Sequence, residues 1–392
     1  MDKEISMASL CQNCGGPLIY SPEISRLTCK MCGASYRPED VEDYGKESHV
    51  YDCRVYTCGH CGGEIIINGT EASTMCIYCG NPNVVFKRVS KERRPDGIIP
   101  FTISRERARE LLTEKLNSGR FIPSDIRKAE IKDITGVYIP YWVVDCDFND
   151  AVLYQSVADN GKNSDVEYHG TYINCFVRSL ALDGATRLND NVCNKLEPFF
   201  FEDVKPFNED YLNGFYSDTT DLTPSDLREA VLGRCDTMYR EYAVGEIPGR
   251  DKKVLRSQPS VNIRDGAVYI MFPAWFCSFT FKGEHHTFLV NGQTGKVVGA
   301  VPFDKRKANA IGAALFLTFL ALFLLPLFLM HHSGYQLRAA AVNLTLYAIP
   351  VMMFIGAPIL GIAFKKIKRL WDSIENTRSG SIFLYAKKRQ GA

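Results

Sequence analysis

Net charge is nearly absent from this chain of 392 residues: 46 Lys and Arg stand against 45 Asp and Glu. That balance removes any global electrostatic argument for a nucleic-acid or membrane-surface partner, so the distribution of charge has to decide. The first ten residues, MDKEISMASL, lack the apolar core and cleavage site of a secretory leader. A disulfide scaffold built in an oxidising compartment is therefore not expected, and the thiols are read as reduced and cytosolic. Also missing are H-E-x-x-H, G-x-S-x-G and a Walker A loop. Gly292-Gln293-Thr294-Gly295-Lys296 ends in a Gly-Lys pair, but Val297 stands where Ser or Thr is required, so the segment reads as a hairpin turn. His285-His286 falls on a strand pattern that points the two rings to opposite faces. His331-His332 sits beside an apolar run and reads as a boundary marker. No pair of carboxylates stands out. No catalytic residue and no organic cofactor are expected, and the chain is read as non-enzymatic.

Cysteine is what the chain has in quantity. Of 14 cysteines, eight form four Cys-x-x-Cys pairs before residue 80. Cys11, Cys14, Cys29 and Cys32 recur as Cys58, Cys61, Cys76 and Cys79, each shifted by 47 positions. Four thiolates complete a tetrahedral shell around Zn2+ and leave no open position, which defines a structural site. Gly15, Gly33, Gly62 and Gly80 follow the four pairs, where a tight turn needs a left-handed backbone. Two structural zinc ions are expected, each contributing on the order of 10 kcal/mol to the folding of its ribbon. Iron in a rubredoxin-like site and a dithiol redox pair are the rivals; the strand-before-CxxC pattern of the latter is missing. His60 lies within a knuckle but outside a filled shell. The other six cysteines, Cys53, Cys146, Cys175, Cys193, Cys235 and Cys277, are expected as small apolar core residues.

Composition divides the chain. Zinc ribbons are expected over 1–47 and 48–86, a basic linker over 87–97, an α+β domain over 98–303, and a basic tail over 365–392. The α+β domain shows helices at about 105–117, capped by Ser104, and after Thr223-Pro224, where Leu227, Val231, Cys235, Met238 and Tyr242 form one apolar stripe. A weak repeat relates Val137-Tyr138-Ile139-Pro140-Tyr141-Trp142 to Val268-Tyr269-Ile270 with Pro273-Ala274-Trp275. Residues 308–364 are overwhelmingly apolar. Two uncharged runs, 311–330 and 339–364, are each long enough for a transmembrane helix. Lys305, Arg306 and Lys307 before them and Lys365, Lys366, Lys368 and Arg369 after them predict a two-pass hairpin in the cell membrane with both termini cytoplasmic. The tail would be drawn to anionic lipid.

Zinc ribbons of this kind invite a nucleic-acid reading, against which charge argues. Residues 1–85 carry six Lys/Arg and eleven Asp/Glu, and phosphate binding needs a basic surface.

The order of these features resembles bacterial TFIIB-type zinc-ribbon membrane proteins of the YdjG-like group. The resemblance rests on tandem CxxCG ribbons, then P-Y-W-V-V-D and P-A-W with N-G-Q-T-G-K-V-V-G, then the apolar C-terminal region. It implies a non-enzymatic envelope-stress protein associated with PspA-like and SPFH-type partners. The function expected is a membrane-anchored zinc-ribbon adaptor that organises cytoplasmic partner proteins at the bilayer. The alternatives are a membrane-tethered nucleic-acid-binding or regulatory protein, and an enzyme or transporter accessory with a site in 98–303.

Overall fold

The computed structural model describes residues 10–41, 49–60, 62–67, 76, 84–118, 123, 126, 134–158, 165–185, 190–246, 249–281 and 284–299. It also describes positions 310, 313, 314, 317, 318, 320 and 321, which are helical.

Two long strands form its spine. β8 (Ile134–Val157) and β13 (Ser260–Phe281) run antiparallel, in register from Asn149↔Ser260 to Ile134↔Cys277 with one bulge. Residues 137–144 of β8 are buried without interruption, because both faces of the sheet are covered there. Tyr138, Trp142 and Val144 enter one core with Phe101, Leu112 and Val231. Val137, Ile139, Tyr141 and Val143 enter a second core on the opposite face, with Phe199, Leu196 and Phe272. Beyond Asp145 the burial of β8 alternates, as it must where only one face is covered.

The weak sequence repeat is the trace of a pseudo-two-fold duplication. β7 (Gly97–Ile98) runs parallel to β13 at Ile270, and β11 (Tyr216–Ser217) runs parallel to β8 at Val137. Each short strand leads into a helix: α1 (Arg105–Ser118) capped by Ser104, and α3 (Pro224–Glu246) capped by Thr223. Gly97 and Tyr216, Ser104 and Thr223, and the buried pairs Ala108/Leu227, Leu112/Val231 and Leu116/Cys235 all differ by 119 in number. Each half reaches into the other. Trp142 Nε1 donates to Thr220 Oγ1 at 2.9 Å ahead of α3, and Trp275 Nε1 donates to the Ile103 carbonyl at 2.9 Å ahead of α1. After each tryptophan strand's partner comes an equivalent turn. Gly184 N–H donates to the Pro140 carbonyl at 2.7 Å, and Gly292 N–H to the Pro273 carbonyl at 2.9 Å.

The remaining strands extend this frame. β9 (Val166–Asp183) pairs with β8, β10 (Lys205–Pro206) pairs with β7, β12 (Arg250–Ser257) joins the far end of β8, and β14 (Glu284–Asn291) and β15 (Val297–Gly299) continue from β13. The Asn-Gly hairpin expected at 291–295 is there, with Gly295 at φ 75°. A short helix, α2 (Asp190–Leu196), packs on the second core.

Several expectations are corrected. The body is not α+β but predominantly β-strand, with three helices set on one continuous sheet among the described residues. The basic segment 87–97 is not a connector. Residues 84–93 form β6 (Val84–Arg93), paired along β4 (Val50–Cys58). Four of the segment's five cations are held: Lys87 and Arg88 reach Glu64, Arg94 reaches Glu209, and Arg93 lies over the Trp142 ring. The second ribbon is no separate module, since β5 (Glu64–Ile67) pairs with both β4 and β11 and so belongs to the main sheet. The apolar stripe of α3 follows a different path. Leu227, Val231 and Cys235 are buried, whereas Met238 and Tyr242 are exposed; the packed face continues instead through Tyr239, stacked on Phe148, and Val244, which packs on Val152 and Tyr154.

The expected transmembrane hairpin, and with it the two-pass membrane localisation and the cytoplasmic assignment of both termini, is overturned. Among the described residues no helix is long and apolar enough to cross a membrane. The longest helix among the described residues, α3, carries Arg228, Arg234, Asp236 and Arg240, charges that a hydrocarbon core excludes. The run 339–364, the tail 365–392, His331-His332 and most of 311–330 lie outside the described residues.

Candidate metal centre

The first ribbon is a three-stranded antiparallel sheet of β1 (Leu18–Ser21), β2 (Arg26–Cys29) and β3 (Ser35–Tyr36). Its two Cys-x-x-Cys turns share one geometry. Gly15 N–H donates to the Cys11 carbonyl at 2.7 Å and Cys11 N–H to the Gly16 carbonyl at 2.8 Å. Gly33 and Ala34 close the same ring around Cys29 at 3.0 and 2.8 Å. Gly15 and Gly33 take φ of 70° and 73°, a region that any Cβ disfavours, so the glycines after the cysteine pairs are required by the turn.

These turns bring Cys11, Cys14, Cys29 and Cys32 together, with all four sulfurs within 4.8 Å of one another. Cys11 Sγ lies 3.6 Å from Cys32 Sγ, and Cys14 Sγ lies 3.5 Å from Cys29 Sγ. A tetrahedron with metal–sulfur bonds of 2.3 Å has edges of roughly 3.8 Å, so the cluster is sized for one ion bound by four thiolates. Cys11 and Cys29 are buried and Cys14 and Cys32 exposed. Donors already face the sulfurs: Met31 N–H points at Cys29 Sγ (3.4 Å), Asn13 Nδ2 at Cys32 Sγ (3.7 Å) and the Tyr36 hydroxyl at Cys11 Sγ (3.3 Å). Tyr36 holds the Cys11 thiol down at about 6. Backbone N–H groups of Cys32 and Met31 lower Cys29 as well. At Cys14 the Gly16 N–H pulls the same way but is outweighed by the neighbouring thiols of Cys32 and Cys29, which raise it to about 12. The site is thus prepared to lose protons unevenly, the response of clustered groups that repel one another once charged. Tyr36 carries no motif that marks it; nearness to Cys32 in sequence is its only signal.

The ribbon is locked to the body. Leu18, Tyr20 and Leu27 are buried in the first core. The Tyr20 ring meets Tyr211 at 5.2 Å and Phe215 at 6.5 Å. Tyr20 N–H donates to the Asn213 carbonyl, Asn208 Nδ2 to the Pro38 carbonyl at 2.9 Å, and the Tyr211 hydroxyl to Glu39 at 2.9 Å. Segment 208–217 therefore supports both ribbons, since β11 within it pairs with β5.

The second copy is described in part. Its first turn repeats the knuckle: Gly62 N–H to the Cys58 carbonyl at 2.9 Å, Cys58 N–H to the Gly63 carbonyl at 2.9 Å, and His60 N–H toward Cys58 Sγ at 3.4 Å. Thr57↔Glu64 pairs as Leu10↔Pro17 does in the first copy. Cys58 and Cys76 are buried, and Cys61, Cys79 and Gly80 lie outside the described residues. The same turn recurs without sulfur at Asn291, whose Oδ1 accepts from Gln293 and Thr294 N–H at 2.8 and 2.9 Å. There the side chain anchors α2 instead, donating to the Leu196 carbonyl at 3.0 Å.

Five of the six other cysteines, Cys53, Cys146, Cys193, Cys235 and Cys277, are buried; Cys175 is half-buried. Burial pushes the Cys53 and Cys235 thiols up to about 12, which makes them inert packing groups at neutral pH. The side chains of His285 and His286 lie outside the described residues.

Fold and site together define a β-rich protein with a duplicated central sheet and a four-cysteine centre that could hold a metal ion. The chain is similar to the uncharacterized protein YdjG of Bacillus subtilis (strain 168), 28% identical over 322 residues, which cover 76% of this chain and 91% of that protein. No family model matches the chain, and no solved structure does.

Proposed function

We propose that the protein is an adaptor that presents a zinc-stiffened ribbon, rigidly seated on its β body, to partner proteins. The observation that carries the reading is Met31, 76% exposed at the tip of the second knuckle beside the ligands Cys29 and Cys32. Leu10, 50% exposed, sits at the entrance to the first knuckle. Apolar side chains held in water on a cross-linked turn suit a protein contact, and four thiolates around zinc leave no coordination site for catalysis. A second zinc is proposed at Cys58, Cys61, Cys76 and Cys79, supported by the repeated turn at Cys58.

The PspA-like and SPFH-type proteins implied by the resemblance are the partners to titrate first against the full chain. Met31→Asp should weaken binding by at least about tenfold with zinc content unchanged. Equal binding by the variant refutes the reading. So does micromolar binding of DNA or RNA at physiological salt that Arg26→Ala, Lys30→Ala and Arg37→Ala abolish, which would select the nucleic-acid alternative.

A further inference from the structure

The body carries a second surface that the ribbon does not use. From Asp145 onward, β8 and β9 are covered on one face by α3, whose Val231, Cys235 and Tyr239 pack on Cys146, Phe148 and Val177. The other face, extended by β12, is open among the described residues. Tyr168 and Tyr172 on β9 are each 65% exposed, and Leu153 on β8 is 40% exposed.

The pairing register places these side chains. Gly170 lies opposite Leu153, which lies opposite Arg256. One step along, Tyr168 lies opposite Gln155, which lies opposite Lys253. Residues two apart on a strand share a face, so Tyr168, Gly170 and Tyr172 line up along β9. A Cβ built on Gly170 meets no atom within 4 Å. Tyr168 and Tyr172 thus flank Gly170 along β9 with Leu153 across from it, leaving an open notch over Gly170. Tyr172 is braced, its hydroxyl donating to Asn149 at 3.1 Å. Arg178, Lys253 and Arg256, all exposed, rim the face. Asp147 and Asp145 on this face are engaged, the first by bidentate Arg264 at 2.7 Å and the second by Ser179 N–H at 2.7 Å.

We infer that this face binds an acidic, amphipathic protein segment, an apolar side chain seated in the Tyr168–Tyr172 notch and carboxylates on Lys253 and Arg256. Charge complementarity sets the sign of the partner, and tyrosine and arginine around a desolvated centre are the composition of interface hot spots. Single-stranded nucleic acid would need a run of open aromatic faces. Here Phe176 is already covered by Arg264 at 4.7 Å, and the aliphatic Leu153 and Val166 lie among the rings. The surface is independent of the ribbon, so its failure leaves the ribbon reading untouched.

The test uses the full chain and a fluorescent helical peptide with leucines on one face and glutamates on the other. Its controls are the lysine-for-glutamate counterpart and oligo-dT and oligo-U, all at physiological salt. The acidic peptide should bind and the basic one should not. Gly170→Leu, which fills the notch at an exposed strand position, should weaken binding at least about tenfold without lowering the melting temperature. Lys253→Glu with Arg256→Glu should reverse the preference toward the basic peptide. Met31→Asp should change none of this. Absence of acidic-peptide binding, insensitivity to both variants, oligonucleotide binding in preference to the peptide, or sedimentation as a dimer that Gly170→Leu dissociates would each overturn the inference.

Discussion

Replacing Cys29 by serine tests whether the first ribbon is part of the body or a bead beside it. Serine is a poor zinc ligand, and three thiolates do not close the tetrahedron, so one zinc equivalent should be lost. A zinc ion held there would supply much of what keeps so small a sheet together, so β1, β2 and β3 should melt. The consequence then spreads. Tyr211 and Phe215 are 4% and 6% exposed, and Tyr20 covers both. Re-exposing about half of each ring costs roughly 3 kcal/mol on the area scale for large apolar side chains. The hydrogen bonds from Tyr211 to Glu39 and from Asn208 to Pro38 add about 1 kcal/mol each. A loss of about 5 kcal/mol corresponds to roughly 10–20 °C in melting temperature for a body of this size. Metal content by mass spectrometry and calorimetry on the full chain read the two effects. A variant that loses one zinc and melts where the parent does would refute the coupling. One that keeps all its zinc would refute the ligand assignment.

Two further outcomes follow from the same geometry. Trp142→Phe and Trp275→Phe should each lower stability by about 1–3 kcal/mol in denaturant titrations, because each removes one indole bond between the duplicated halves; a silent variant would break the symmetry argument. Stability should also fall as pH rises from about 9 toward 12. Cys53 and Cys235 ionise at the ordinary 9.0 once unfolded but resist to about 12 when folded, so their contribution is full below the unfolded value and lost through the folded one. Cys53→Val should flatten that alkaline decline in the urea midpoint, and an unchanged slope would remove Cys53 as its cause.

Local spacing was enough to name the four-cysteine centre, residue by residue. The ligands of a knuckle are set by local spacing, and the turn that joins them closes within six residues, so Cys11, Cys14, Cys29 and Cys32 could be named without a fold. The same locality made the caps Ser104 and Thr223 and the hairpin at Asn291-Gly292 legible. It also made the burial of most scattered cysteines legible. Features set by pairing between distant segments were hidden until the chain was folded. The basic run 87–94 looks like a solvated connector until β4 lies beside it. The second ribbon looks free until β11, about 150 residues later in the chain, pairs with β5. The duplication left only V-Y-I and P-x-W on the surface of the sequence, because burial constrains the size and polarity of a core residue more tightly than its identity. The reading of the apolar C-terminal run as a membrane hairpin rested on hydropathy and flanking charge, properties of composition that say how much a segment prefers to leave water and not what it packs against.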